Sequence, residues 1–104
     1  TLDQFINKKS VGTIDLIKID TEGSEYLILK GAKQTIQKHQ PIIICETLFN
    51  KIEKELELEM SEHGYLFFNH TPNGLKQVHT LKRDKDDGVR DCFFVPPSKL
   101  EWIR

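Results

Sequence analysis

The sequence has few cysteines, no marked excess of charge and no long apolar run. Its 15 basic and 16 acidic residues leave a formal net charge of −1, which gives no reason to expect nucleic acid or an anionic membrane as a partner. No apolar run approaches the ~18 residues that a membrane-spanning helix needs. The first residues show no signal-peptide pattern. We therefore expect neither a membrane nor a nucleic-acid partner.

The two cysteines, Cys45 and Cys92, both lie in apolar runs that are typical of strands. Free, buried thiols usually occupy such places in cytosolic proteins. We expect both thiols to be reduced and the protein to be cytoplasmic, with a disulfide between adjacent strands as the alternative. The sequence has no CxxC pair and no Cys/His spacing typical of zinc.

The length of 104 residues, with 38% apolar and 30% charged residues, fits one globular α/β domain or part of one. Apolar periodicity, Gly and Pro mark the boundaries of its elements. The predicted elements are a helix over Thr1–Lys8, a strand over Ile14–Asp20, a helix over Ser24–His39, a strand over Pro41–Thr47, a helix over Asn50–His63, strands over Tyr65–His70, Leu75–Leu81 and Asp91–Val95, and a tail over Ser98–Arg104.

Two of the predicted strands end in an acidic residue just before a helix. Asp20 ends the first and Glu46 the second, and the strand–helix–strand order predicts that these strands are parallel neighbours. Because ligands bind at the carboxyl ends of strands in α/β sheets, Asp20, Glu22 and Glu46 are the first candidates for a site. A carboxylate there can accept a proton from a hydroxyl or orient a substrate.

Each candidate also has a plain structural interpretation. Glu22 can stabilise the start of the next helix, and Glu46 can cap the helix after it. Gly23 either lets the backbone approach a ligand or simply forms the turn. Clustered carboxylates also suit Mg²⁺, but the sequence has no separate Asp-Asp pair at a strand end, and we assign no metal ligand. His70 follows a strand at the same edge and is a further candidate for contacting a substrate.

Four segments together resemble the FkbM-type methyltransferases, namely Thr1–Phe5 (TLDQF), Ile14–Glu25 (IDLIKIDTEGSE), Leu29–Ala32 (LKGA) and Pro41–Glu46 (PIIICE). The resemblance implies transfer of a methyl group from S-adenosylmethionine to a hydroxyl of a small-molecule or glycan acceptor, such as a sugar or natural product. It implies catalytic roles for Asp20, Glu22 and Glu46, and cofactor contacts for Asp20, Thr21 and Gly23. The implied fold is the C-terminal part of a Rossmann-like methyltransferase sheet, mostly parallel with a last antiparallel strand.

The resemblance covers only the C-terminal half of that family's domain. The Gly-rich loop that would hold the amino acid part of the cofactor is expected upstream of Thr1, so we expect residues 1–104 to be inactive alone. The alternative is a non-catalytic α/β module that only binds a partner. Since the missing half would cover the strand Ile14–Asp20, we expect this strand to be an exposed sheet edge through which homo-oligomers form.

Overall fold

The structure is a computed structural model that describes residues 1–9, 12–19, 25–46, 53–81 and 91–103. Within these ranges no helix is long and apolar enough to cross a membrane. In chain order the elements are α1 (Leu2–Lys9), β1 (Leu16–Ile19), α2 (Glu25–Lys30), α3 (Lys33–His39), β2 (Ile42–Glu46), α4 (Glu53–Ser61), β3 (Leu66–Thr71), β4 (Gly74–Val78), β5 (Asp91–Val95) and a 3₁₀ helix (Pro97–Ile103).

One five-stranded sheet joins the strands in the order β1-β2-β5-β3-β4. β1 and β2 are parallel, whereas β5 is antiparallel to both β2 and β3, and β4 is antiparallel to β3. The expectation of a mostly parallel, Rossmann-like sheet is therefore wrong, because β1–β2 is the single parallel pair among the described strands. Two features cause the difference: a two-residue turn folds β4 back onto β3, and β5 enters between β2 and β3 in the opposite direction.

The turn between β3 and β4 is held by Thr71. Its hydroxyl donates to the Gly74 carbonyl at 2.7 Å and accepts from the Asn73 amide at 3.2 Å. Gly74 has a φ of 107°, which a residue with a Cβ rarely adopts. A turn this short can only join antiparallel strands, so the hairpin follows from these local residues.

Side chains alternate between the two faces of the sheet, and each face has its own apolar cluster. The larger cluster lies between the sheet and α2, α3 and α4, and its fully buried members include Leu29, Ile36, Ile43, Leu56 and Phe94. The smaller cluster lies on the opposite face, where the 3₁₀ helix packs, and includes Ile42, Phe68, Val95, Leu100 and Ile103.

The helix predicted over Ser24–His39 is divided into α2 and α3 by a turn at Gly31 and Ala32. A Cβ added to Gly31 would lie 3.2 Å from the Thr1 Cβ, a contact tighter than side chains normally make. The Asp3 amide also donates to the Gly31 carbonyl at 3.1 Å. Because Gly31 has no Cβ, the first residues of α1 can pack against this turn.

Asp3 joins α1 to the start of α3. Its carboxylate accepts hydrogen bonds from the Thr35 hydroxyl at 2.7 Å, the Thr35 amide at 2.8 Å and the Gln34 amide at 3.0 Å. Burial alone raises the pKa of Asp3, but the hydrogen bonds from Thr35 and Gln34 outweigh it and hold the pKa below its ordinary value. The ionised carboxylate therefore satisfies two amide donors at the helix start that the helix itself leaves unpaired.

Lys99 of the 3₁₀ helix joins this segment to the end of α3. Its buried ammonium donates to the carbonyls of His39, at 2.9 Å, and Gln40, and lies 3.6 Å from the Asp15 carboxylate. A positive charge is favourable where helix carbonyls lack partners. Part of the segment predicted as a tail is therefore anchored to α3 and to the residue before β1.

Candidate active site

The strands β1, β2 and β3 run in the same direction, so their carboxyl ends lie at one edge of the sheet. β1 and β2 are parallel neighbours, and the last pair between them is Ile19 with Cys45. In the sequence, Asp20 is the next residue after Ile19 and Glu46 is the next after Cys45. The prediction that the two acid-bearing strands are adjacent and parallel is confirmed.

Glu46 is the last residue of β2 and lies opposite Asp91, the first residue of β5. Both residues are half-buried, and both project to the face that carries the 3₁₀ helix, because directly opposed residues share a face. The Cβ atoms of such a pair lie about 5 Å apart. Two carboxylates at this spacing favour a cationic or hydrogen-bond-donating group beside them.

An aromatic ring and an imidazole lie on the same face beside this pair. Phe93 is two residues after Asp91 on β5, and its ring centroid lies 6.1 Å from that of His70 on β3. The His70 side chain is exposed, whereas Phe93 is half-buried. The edge therefore combines two carboxylates, an imidazole and part of an aromatic ring on one face.

Residues 1–67 match the family described as the methyltransferase FkbM domain. This chain belongs to the FkbM methyltransferase family. The matched residues run from α1 to the beginning of β3 and include both acid-bearing strands. No curated protein and no solved structure matches the chain. Membership places the domain among enzymes that transfer methyl groups, a class that generally takes this group from S-adenosylmethionine.

Among the site residues predicted for the FkbM domain, the structure describes Glu46. It lies at the predicted sheet edge, next to the end of β1. Asp20, Thr21, Glu22 and Gly23 lie outside the described residues. Their catalytic and cofactor-binding roles stay predictions.

Asp91 was not predicted as a site residue. In the sequence it follows a charged stretch that already contains Asp84, Asp86 and Asp87, so nothing local distinguishes it. Its position shows in the strand pairing: the first residue of a strand antiparallel to β2 falls beside the last residue of β2, which is Glu46. The missed signal was the direction of β5 together with its place next to β2.

The described residues at the carboxyl ends of β1, β2 and β3 suit the charge of S-adenosylmethionine. Its sulfonium is positive, and the Glu46–Asp91 pair supplies negative charge. Among the described residues there is no group of three or more His, Cys, Asp or Glu side chains that could hold a metal ion. An apolar pocket of about 250 Å³ lies away from this edge, and it is lined by Thr1, Leu2, Leu27, Ile28 and Gly31.

Proposed function

We propose that this FkbM domain belongs to an enzyme that transfers a methyl group from S-adenosylmethionine to a hydroxyl of a sugar or natural product. The observation that carries the proposal is the family match, which spans both acid-bearing strands. The position of Glu46 beside the end of β1 supports it, because that is where ligands bind in sheets of this kind. The half-buried Phe93 next to the carboxylates suits a sugar ring, which offers an apolar face and hydrogen-bonding hydroxyls.

The proposed roles follow from what the carboxylates can do. S-adenosylmethionine supplies an electrophilic methyl group when it is bound. We propose that Asp20 and Glu22 act on the acceptor hydroxyl, because a carboxylate can accept the proton that this hydroxyl must lose. Asp20, Thr21 and Gly23 would contact the cofactor, and Glu46 would border the acceptor and orient its hydroxyls.

The proposal includes a part of the enzyme outside this sequence. We propose that a Gly-rich strand–loop–helix outside residues 1–104 would hold most of the cofactor. We therefore expect residues 1–104 alone to bind S-adenosylmethionine weakly and to show no turnover. We also expect a cytoplasmic location, which agrees with two cysteines in the reduced state.

A second function is favoured by the position of β1, which is the last strand on its side of the sheet among the described residues. This strand is at the edge of the sheet, and Leu16 on it is 59% exposed. Such an edge can accept a further strand from another chain. The alternative is therefore a non-catalytic module that binds a partner, and a second copy of this chain is the partner that we propose.

Methyl transfer in the full-length protein distinguishes the two functions. Incubation with methyl-labelled S-adenosylmethionine and a panel of sugars and hydroxylated natural products should label an acceptor. Asp20→Asn should lower kcat by about a hundredfold or more while leaving the unfolding transition in place. Absence of both cofactor binding and labelling in the full-length protein would favour the binding module. Unchanged turnover in Asp20→Asn would remove Asp20 from the mechanism.

A further inference from the structure

Cys45 and Cys92 lie directly opposite each other on the antiparallel strands β2 and β5. Both are reduced thiols, and both are buried as the sequence predicted, with exposed fractions of 0% and 3%. Both also belong to the larger apolar cluster, so their side chains share one face of the sheet. We propose that Cys45 and Cys92 form a redox-sensitive dithiol, which a hydroperoxide converts to a cross-strand disulfide.

The backbone separation of this pair already suits a disulfide. Directly opposed residues of antiparallel strands have Cα atoms about 4.5 or 5.5 Å apart, depending on the type of pair. Cysteines in disulfides have Cα atoms about 4.4–6.8 Å apart, so both types of pair lie within the range. Oxidation therefore requires rotation of the two side chains and no change in strand register.

A hydrogen bond favours the reduced form of Cys92. Its thiol donates to the Asn69 Oδ1 atom at 3.3 Å, and Asn69 is the residue opposite Cys92 on β3. A bond that the thiol donates stabilises the protonated sulfur over the reactive thiolate. We therefore expect the dithiol to be the resting state and its oxidation to be slow.

The proposed oxidation consumes one molecule of hydroperoxide. One sulfur, as its thiolate, attacks a peroxide oxygen, the O–O bond breaks, and a sulfenic acid forms. The second sulfur then attacks the sulfenic sulfur, the S–S bond forms, and hydroxide leaves and is protonated. With hydrogen peroxide, the two thiols lose two electrons and two protons, and the peroxide becomes two molecules of water.

The crosslink would fix β5 to β2 at the pair next to Glu46 and Asp91. It would also remove the hydrogen bond that the Cys92 thiol donates to Asn69. Oxidation would in this way set the spacing of the two carboxylates at the candidate active site. This consequence for methyl transfer rests on the proposed function, whereas formation of the disulfide does not.

Peptide mapping of the oxidised protein tests the proposal. Reduced native protein is treated with hydrogen peroxide, quenched with an alkylating reagent in denaturant, and digested without reduction. We expect a peptide that links Cys45 to Cys92, a mass loss of two hydrogen atoms per chain, and reversal by dithiothreitol. The thermal midpoint of the oxidised form should rise by roughly 5–15 °C, because the bond constrains the unfolded chain.

Single variants provide the matched controls. Cys45→Ala and Cys92→Ala each keep one thiol in the same environment, and neither should lose two hydrogen atoms within one chain. If a variant does not fold, the map of the wild-type protein still decides the question. Peroxide products limited to sulfinic acids, to disulfides between chains or to unreacted thiols, with the fold retained by circular dichroism, would overturn the proposal.

Discussion

Glu46 at the end of β2 and Asp91 at the start of β5 face each other across an antiparallel strand pair. Like charges directly opposite each other across two strands are unfavourable by about 0.2–1 kcal/mol. Groups with such electrostatic strain cluster at functional sites. We therefore propose this edge of the FkbM domain as a substrate-binding edge, and the pair offers a test that separates stability from function.

The first prediction concerns these two acids in the full-length enzyme. Glu46→Gln should raise the acceptor KM by about tenfold with a smaller change in kcat, because the proposed role of Glu46 is to orient the acceptor.

Asp91→Asn should raise the free energy of unfolding by a few tenths of a kcal/mol, since it removes the repulsion between the two acids. Steady-state kinetics and urea unfolding measure these effects.

An exposed acid on α4 provides the control for both measurements. Glu55→Gln makes the same chemical change outside the candidate site. It should leave the acceptor KM unchanged and should not raise the free energy of unfolding, because a negative charge in the first turn of α4 is favourable. If Glu46→Gln and Glu55→Gln gave the same acceptor KM, Glu46 would have no part in acceptor binding.

Local patterns were enough to predict most of the described elements and the end of β2 at Glu46. β1, β2 and β5 lie where apolar runs bounded by Gly, Pro and charged residues predicted them, and β1 and β2 pair in parallel as expected. The mostly parallel sheet was wrong because strand order and direction depend on long-range packing. Asp91 was missed for the same reason, since its relation to Glu46 exists only once β5 is placed beside β2.

The periodicity of apolar residues also did not predict the division between α2 and α3. The apolar stripe continues through Gly31, but a Cβ at this position would meet Thr1, which is far away in sequence. A single-helix prediction follows from side chains that alternate at helical spacing, and this signal carries no information about α1. Contacts between distant segments therefore decide the features that the sequence did not predict.

The second prediction concerns the pH dependence of the Asp3 cap. The folded-state pKa of Asp3 lies below its value of 3.8 in an unfolded chain, so its contribution to stability is present above that value and is lost as the pH falls through the folded-state pKa. Asp3→Ala should cost about 1 kcal/mol at pH 7, because two amides at the start of α3 lose their acceptor. The difference between wild type and variant should shrink below about pH 4.

Urea unfolding at pH 7 and pH 3 measures this difference directly. Glu101→Ala is the control, because Glu101 is an exposed acid on the 3₁₀ helix and should show little change at either pH. A cost of Asp3→Ala that stays equal at both pH values would show that the carboxylate charge is not what stabilises α3.

The third prediction concerns the buried cation of the 3₁₀ helix. Lys99→Met keeps most of the side-chain volume but removes the donors to the His39 and Gln40 carbonyls. The free energy of unfolding should fall by about 2 kcal/mol, since the carbonyls at the end of α3 lose a charged partner in a buried place. Chemical denaturation of the wild type and of Lys99→Met measures this difference in the free energy of unfolding.

Lys38→Met is the matched control for this change. Lys38 lies in the last turn of α3 and is exposed, so its removal should cost a few tenths of a kcal/mol. Equal effects of the two substitutions would mean that Lys99 contributes only a surface charge and does not anchor the 3₁₀ helix.

The last prediction concerns self-association through β1. The Ile42 amide donates to the Asp15 carbonyl at 2.8 Å, so the backbone carbonyl of Asp15 points toward β2. Backbone groups of successive strand residues point to alternate sides. The backbone groups of Leu16 and Lys18 therefore point away from β2. Among the described strands none lies on this side of β1, and the exposed Leu16 side chain adds apolar area there. Lys18 weakens such pairing, as charged residues on edge strands do. We therefore expect a weak dimer that appears as the protein concentration rises.

Sedimentation velocity over a range of concentrations tests this expectation on residues 1–104. Leu16→Lys places a second positive charge on the edge and should shift the protein to monomer, with little cost in stability because the side chain is exposed. Leu58→Lys makes the same substitution on α4 at an equally exposed leucine, 61% against 59%, and should leave the association unchanged. If both variants dissociate the dimer equally, general surface charge and not the β1 edge controls association. A wild-type chain that stays monomeric at the highest concentration would remove the edge as an interface, because Leu16 and the backbone groups beside it would then be insufficient to hold a second copy.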